Sequence, residues 1–488
     1  MNIFKNKIIR DLFHRKSFVI SISILVFFVL VAIIGPMTTP YKNPYSSSEY
    51  YVAGPYAVPS WATIFPQYKD YPPDMSTTLN LTSTSGNGYV TYNGSYYVVY
   101  LKPHQSENLT FTLFWKYSYP YSFTFSTTVI PYTTQGVQVN FYTESSSGYK
   151  FFLLSYVPFK YQYEYNYPTN VLNLNKPNSI SITPSGLNSA NSPYVASLSI
   201  SQQALLGLEF PMELLGKPGP TSLMISVINI GSTSAKVYIA PVHFSDLGRS
   251  FGILGTDDNG ASVYAEYVIG ARFDLELSVI ASIIIVGIGL IVGLVAGYVG
   301  GKTDLVLNSI TDFFLTIPAL PLFITLETVF IVTGIAANIS RAELILLIIG
   351  GLSWMGTMKI IRSVTLSVKS RTFVEASRAL GGGTLHVIRK HILPNILGVV
   401  FAQLAYDVPV VILIESGLDF LGFGIPLSAF PTWGNMLGAA TDAASSANSF
   451  AWWWVMPPGL SIVLLSMAFY YFGTALQEVL SPFKVRGE

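Results

Sequence analysis

The chain has 488 residues, half of them hydrophobic and only 11% charged, with a mean hydropathy of +0.46; soluble domains carry about 25% charged residues, so much of this chain is not built to face water. Lys+Arg 27 against Asp+Glu 26 leaves a net charge of +1, which argues against a basic nucleic-acid binder and a highly charged disordered chain. Zero cysteines exclude disulfides, thiolate metal sites, Fe–S clusters and cysteine nucleophiles.

The first element is an uncharged run of nineteen residues, 17–35, close to the ~20 needed to cross ~30 Å of hydrocarbon. A signal peptide is the competing reading, but no Ala-x-Ala site follows the exit at Gly35-Pro36-Met37. Residues 1–37 are therefore expected to form a cytoplasmic N-terminus and an uncleaved first membrane helix.

Residues 38–251 change character. They are rich in Tyr, Ser, Thr, Asn, Pro and Gly, and residues 41–250 hold 25 of the 31 tyrosines. Apolar and β-branched residues alternate or cluster at 95–101, 108–115 and 137–142, with turn residues between them. Residues 202–215 show helical periodicity instead. This density of bulky apolar side chains argues for an ordered β-rich domain, plausibly a sandwich, over a disordered stalk.

After Arg272 the membrane pattern returns. Spans are expected at 277–299, 313–333, 344–358, 396–414 and 455–476, six in all with the first. The fold class is thus an α-helical membrane protein with an inserted extracellular β-rich domain: 1–37, 38–251, and a five-helix core at 252–488. Lys5, Lys7, Arg10, Arg15 and Lys16 precede the first span and put the N-terminus inside. Alternation then places 38–251 outside, a loop at 300–312 inside and a long loop at 359–395 inside. That last loop holds Lys359, Arg362, Lys369, Arg371, Arg378, Arg389 and Lys390, whereas 417–454 has no Lys or Arg. The N-x-[ST] glycosylation tripeptides at Asn80, Asn93, Asn108 and Asn338 all fall in segments assigned outside. Together with the lack of cysteine they lean toward an archaeal cell surface.

Residues 296–303 read Ala-Gly-Tyr-Val-Gly-Gly-Lys-Thr, a relaxed phosphate-loop pattern. It follows a membrane helix, not a buried strand, so a glycine-rich helix exit is the expectation. The five histidines are scattered, and His386 and His391, five apart, fall off one α-helical face, so no metal site is expected. Glu327 and Asp407 sit in apolar runs, where a central carboxylate costs about 2.5–3.5 kcal/mol. Contact with substrate along a pathway and pairing inside the bundle both explain them. Asp312 and Glu415 lie near span ends, where structural roles are expected, and Trp452, Trp453 and Trp454 read as an interfacial belt.

The inside loop is a structured device. Residues 373–380 can form a short helix, Gly381, Gly382 and Gly383 break it, Thr384 can cap a second helix, and Pro394 opens the next span. Glu375, Ala376, Ser377 and Gly381, closed by Leu393 and Pro394, resemble at matching spacing the cytoplasmic Glu-Ala-Ala loop of ABC importer permeases. Ser377 replaces the second Ala of that pattern. His391 to Asn395 (His-Ile-Leu-Pro-Asn) is similar to the dipeptide/oligopeptide/nickel branch. So are 415–424 (Glu-Ser-Gly-Leu-Asp-Phe-Leu-Gly-Phe-Gly), 431–436 (Pro-Thr-Trp-Gly-Asn-Met) and Leu480-Ser-Pro482. The resemblance covers residues 254–482 and leaves the β-rich domain aside.

The resemblance implies a non-catalytic permease subunit of an ATP-driven importer. Its partners would be a second homologous permease, two cytosolic ATPases that hold ATP and Mg, an extracellular solute-binding protein and membrane lipid, with no nucleic acid. This subunit would bind no cofactor itself. The loop's first helix, with Glu375, Ala376, Ser377 and Arg378, would dock on an ATPase, with Glu375 pairing a basic group and Gly381 setting the angle. Peptides or oligosaccharides would be the cargo. A secondary transporter would not need the loop, and a membrane-anchored receptor or adhesin would not need six spans.

Overall fold

The computed structural model describes residue 10 and residues 12–44, 51–335, 337–447 and 450–480. Lys5 and Lys7, used for orientation, and Ser481 and Pro482 of the family pattern lie outside the described residues. Two compact units divide the chain, one of Met1–Glu49 with Val263–Glu488, the other Tyr50–Ser262.

The helical unit begins with α1, Lys16–Thr38, apolar on every side as a lipid-facing rod must be. Its N-terminal end stacks Phe18 on Phe472, centroids 5.6 Å apart, and pairs Arg15 with Glu478.

The Tyr50–Ser262 unit holds two sheets across one apolar core. The first runs, in spatial order, Ser76–Leu79, Val242–Leu247, Ser122–Tyr132, Ala235–Ile239, Tyr97–Leu101 and Tyr89–Tyr92, with Asn178–Ile182 also paired to Ser122–Tyr132. The second runs Leu81–Gly86, Ser106–Trp115, Gly219–Asn229, Val137–Glu144, Lys150–Val157 and Asn170–Val171, antiparallel except for the last pair. The reason lies in the residue alternation: along Ser106–Trp115 and Ser122–Tyr132 almost every second side chain is buried. Phe111, Phe125, Phe141 and Phe244 fill the core. Helix α2, Ile200–Leu215, starts on a capping box of Ser199 and Gln202 and lays Phe210 and Leu214 onto the same core. Residues 251–262 close the unit: Thr256 Oγ1 donates to Gly54 O, and Asp257 Oδ1 accepts from Ala261 N.

The rest of the helical unit then follows: α3 (Val263–Val299), α4 (Gly301–Leu315), α5 (Ala319–Val332), α6 (Arg341–Leu352), α7 (Trp354–Lys369) and α8 (Thr372–Ala379). After these come α9 (Thr384–Val387), a π turn at Ile388–Ile392, α10 (Leu393–Phe420), α11 (Trp433–Ala447) and α12 (Trp452–Leu480). Five described helices are long and apolar enough to cross a membrane: Lys16–Thr38, Val263–Val299, Arg341–Lys369, Thr384–Phe420 and Trp452–Val479. The pair α4 and α5, bent by 86°, makes a sixth when counted as one broken span.

Three expectations are corrected here. The span expected at 313–333 is not one rod, because Pro318 lacks an N–H and is itself extended, so the helix breaks. The loop expected at 300–312 is helix α4, whose polar face hid it from a hydropathy reading. The long inside loop at 359–395 shrinks to 370–383, since α7 runs on to Lys369 and α9 leads without interruption into α10.

Helix α3 packs closely along α7. Gly289, Gly293 and Gly297 stand four apart along one face of α3. A Cβ on Gly293 would lie 2.8 Å from Met358 O and 2.9 Å from Ile361 Cβ. The small residues let the two backbones approach, the usual way for helices to pack in lipid.

Candidate functional site

The exposed turn between α7 and α9 is built around α8. Glu375 sits in its first turn and Arg378 in its last, each charge opposing the helix dipole. Val374 is the one buried residue of α8 and joins a cluster with Val368, Val387, Ile392 and Tyr298. Arg378 lies over the Tyr298 ring at 4.8 Å, and its Nε donates to the Tyr298 hydroxyl at 3.3 Å. So α8 is pinned on one side to α3, α7, α9 and the π turn. Glu375, Phe373 and Leu380 are exposed around the rest of the helix, Leu380 at 89%. Leu385, just past the glycines, is exposed as well. An apolar patch with a carboxylate at the end of the membrane rods has the composition of a protein-docking surface.

The end of α8 explains the glycines. Gly382 N donates to Ser377 O and Gly381 N to Arg378 O, both at 2.9 Å, and Gly381 has φ +87°. This is a Schellman turn, with Gly381 at the left-handed position. A Cβ on Gly381 would meet nothing within 4 Å, so its constraint is torsional, whereas one on Gly382 would lie 2.6 Å from Ser377 O. The cap of α9 is Gly383, in an extended conformation, and Thr384 is the first helical residue; this corrects the expectation that Thr384 caps.

Leu393 and Pro394 lie inside a continuous helix. Pro394 has no N–H to give, and the i→i+5 turn before it, with Leu393 N bonded to Ile388 O, accommodates the defect. That turn also brings the His386 and His391 rings to 5.9 Å, correcting the expectation that a spacing of five keeps them apart. Among the described residues no group of three or more His, Cys, Asp or Glu is placed to hold a metal.

Glu327 and Asp407 are each tied inside the bundle. Glu327, buried on α5, takes Arg341 Nη1 of α6 at 2.5 Å. Asp407 accepts from Thr357 Oγ1 of α7 at 2.8 Å and from Gln403 Nε2 at 3.2 Å. Arg341 is the first residue of α6, just past the short connection after α5, and was not singled out by its local sequence. The motifs at 415–424 and 431–436 interlock: Asp419 Oδ1 accepts from Ile425 N at 2.7 Å and Oδ2 from Thr432 Oγ1, while Asp274 on α3 accepts from Trp433 N at 3.0 Å. Glu415 is buried beside Ser416. Trp453 and Trp454 are buried too, so they pack the bundle and do not form a belt facing lipid. The glycine-rich 296–303 stretch ends α3 and begins α4, with Gly300 and Gly301 both at positive φ between two helices, and no strand precedes it. Asn80, Asn93 and Asn338 are exposed; Asn108 is half-buried in a strand and donates to Ser85 Oγ.

Residues 289–486 match the family model described as binding-protein-dependent transport system inner membrane component, and residues 6–55 match the N-terminal TM domain of oligopeptide transport permease C. The oligopeptide transport system permease protein OppC of Haemophilus influenzae is 35% identical over 236 residues, 48% of this chain and 71% of that protein. The dipeptide transport system permease protein DppC of Bacillus subtilis is 36% identical over 228 residues, 47% of this chain and 68% of that protein. Among solved structures, the inward-facing MetNI methionine ABC transporter aligns at a TM-score of 0.36 and 16% identity, covering 44% of this chain and 95% of that one. The chain therefore belongs to the binding-protein-dependent transport permeases of the OppC/DppC type, as a non-catalytic, multi-pass membrane subunit with a β-rich unit inserted between its first membrane helix and the rest of its core.

Proposed function

We propose that this chain and a second homologous permease enclose the pathway of an ATP-driven importer that takes up peptides from a solute-binding protein. Two cytosolic ATPases hold the ATP and Mg and seat α8 in a cleft. The observation that carries this reading is α8 itself: a short helix held by Val374 and Arg378, ended by a Schellman turn, with Glu375 and Leu380 facing outward. A helix braced in this way passes on rigid-body motion, which a floppy loop would absorb. Peptides are favoured because the relatives are oligopeptide and dipeptide system permeases; nothing comparable supports oligosaccharides. The N-terminal basic residues and the cation-free 417–454 segment support an inside N-terminus, hence a β-rich unit outside, where Asn80, Asn93 and Asn338 are open to glycosylation. In this reading Glu327 and Asp407 stiffen the pathway wall.

The test is uptake of radiolabelled tripeptides and ATP hydrolysis in proteoliposomes holding all the partners. Glu375→Lys reverses a charge at the ATPase contact, where losing one member of a buried pair costs about 2–5 kcal/mol. Uptake is expected to fall sharply while membrane insertion and binding-protein docking persist. Parental uptake by this variant would remove the coupling role of α8.

A further inference from the structure

Helix α4 is joined to its neighbours in an unusual way. At its start, Gly300 and Gly301 have φ +74° and +58°, a hinge where side chains would be strained. At its end, the chain turns by 86° into α5. Between these two joints, α4 holds α7 through a polar face. Asp304, Asn308, Thr311 and Asp312 fall on one side of the helix. Asp304 takes the Arg362 guanidinium in a fork, through Nε and, at 2.6 Å, through Nη2. Asp312 takes Lys359 Nζ and is also bonded by Asn308 Nδ2 at 2.9 Å. Thr311 is buried against Met358. The apolar side chains Leu305, Val306 and Phe313 point away and are exposed. Arg362 and Lys359 are on the helix that leads into α8. From Arg362 to the end of α7 is about two turns, roughly 10 Å of stiff helix. The glycine seam joins α7 to α3 by close backbone packing.

We propose that α4 is a lever, hinged at Gly300 and Gly301, through which the Asp304–Arg362 and Asp312–Lys359 pairs carry displacement of α8 to the bend at Thr316 and Pro318 and so to α5. This rests on the reading of α8 as the ATPase-coupling helix. The forked pair is the suited connector, because a planar guanidinium on a carboxylate fixes direction as well as distance, which sliding apolar contacts do not. Arg362 and Asp304 are positioning residues in this scheme: they touch no substrate and act by making α4 follow α7.

The experiment uses the whole complex in proteoliposomes, with Asp304→Arg, Arg362→Asp and the double charge swap. Radiolabelled tripeptide uptake and binding-protein-stimulated ATP hydrolysis are measured side by side. Each single reversal is expected to keep the ATPases bound and hydrolysing while uptake falls roughly 3- to 30-fold, the size of coupling carried through packed networks. The swap is expected to recover most of the uptake, because the opposite charges meet again. Where a reversal fails to insert, Asp304→Asn and Arg362→Gln serve, with the same split between hydrolysis and uptake expected. Parental uptake in the single variants, or a swap no better than either single, overturns the lever. So does parallel loss of uptake, hydrolysis and ATPase attachment, since the pairs would then only hold the fold. A parental chain that assembles with no ATPase, or moves no tripeptide, defeats the importer reading itself, an outcome separate from these.

Discussion

Gly381 acts through its backbone and not through its size. Its φ of +87° is left-handed, and a Cβ there would touch nothing within 4 Å. Any β-branched or bulky residue would strain the turn by roughly 1 kcal/mol or more, whereas Asn enters this conformation readily. Gly381→Leu is therefore expected to lower uptake in the reconstituted complex well below that of Gly381→Asn. Equal uptake by the two would mean that the torsion is not what the turn needs. Gly293 is the opposite case, constrained by space. Its Cβ would press on Met358 O and Ile361 Cβ, so Gly293→Leu should overpack the α3–α7 seam at a cost of about 1–3 kcal/mol or more. Gly287 has open space around the same atom and provides the control. The thermal midpoint of the detergent-solubilised chain should drop for Gly293→Leu and stay near parental for Gly287→Leu.

At the scale of elements, the β-rich unit has its own core and its own pH response. Burial pushes the Asp246 carboxyl up to about 7, reinforced by the nearby charge of Asp74 and opposed by the hydrogen bond from Met75 N. Burial likewise lifts Asp74 and Asp257 to about 6, against hydrogen bonds from Gly248 N and Ala261 N. In the unfolded chain these groups titrate near 4. Between about pH 4 and pH 7 the folded state thus holds more protons than the unfolded state, and stability falls as pH rises through that window. Tyr50–Ser262 expressed alone should show a β-type circular dichroism spectrum and one cooperative melt, with a higher midpoint at pH 5 than at pH 7.5. Asp246→Asn should flatten that difference. It keeps an acceptor for Met75 N and no longer has a charge to bury. A random-coil spectrum, or a midpoint that rises with pH, would contradict this account. The strands behind this core were readable in outline, since period-2 alternation in 108–115 and 137–142 is a local property; observed strands Ser106–Trp115 and Val137–Glu144 extend them by a few residues.

For the whole molecule, the side of the membrane each unit occupies is a consequence of the proposed reading that protease can test. In that reading the basic N-terminal residues and the cation-free 417–454 segment are the grounds for a β-rich unit outside and α8 inside. In sealed inside-out vesicles, added protease should cut at the exposed Leu380 to Leu385 turn and leave the β-rich unit whole until detergent is added. The reverse pattern would turn the topology over, and with it the docking of α8 on cytosolic ATPases.

What the sequence by itself determined are features whose energetics are local. Residues 17–35 span lipid because nineteen neighbouring side chains avoid charge, and α8 ends at Gly381 because only glycine-like backbones turn left there at little cost. Glu375, Ala376, Ser377 and Gly381 at their spacing pointed to the same loop that the structure holds in a rigid turn. Tertiary structure alone decided the rest. Arg341 meets Glu327, Arg362 meets Asp304 and Trp433 meets Asp274 across 14, 58 and 159 residues of sequence. A hydropathy reading took α4 for a loop and ended α7 early because it counted charges without their partners. Paired across two helices, Asp304 with Arg362 and Asp312 with Lys359, those charges become the reason the helices continue. Such pairings depend on how rods pack, and packing is a property of surfaces that no single segment carries.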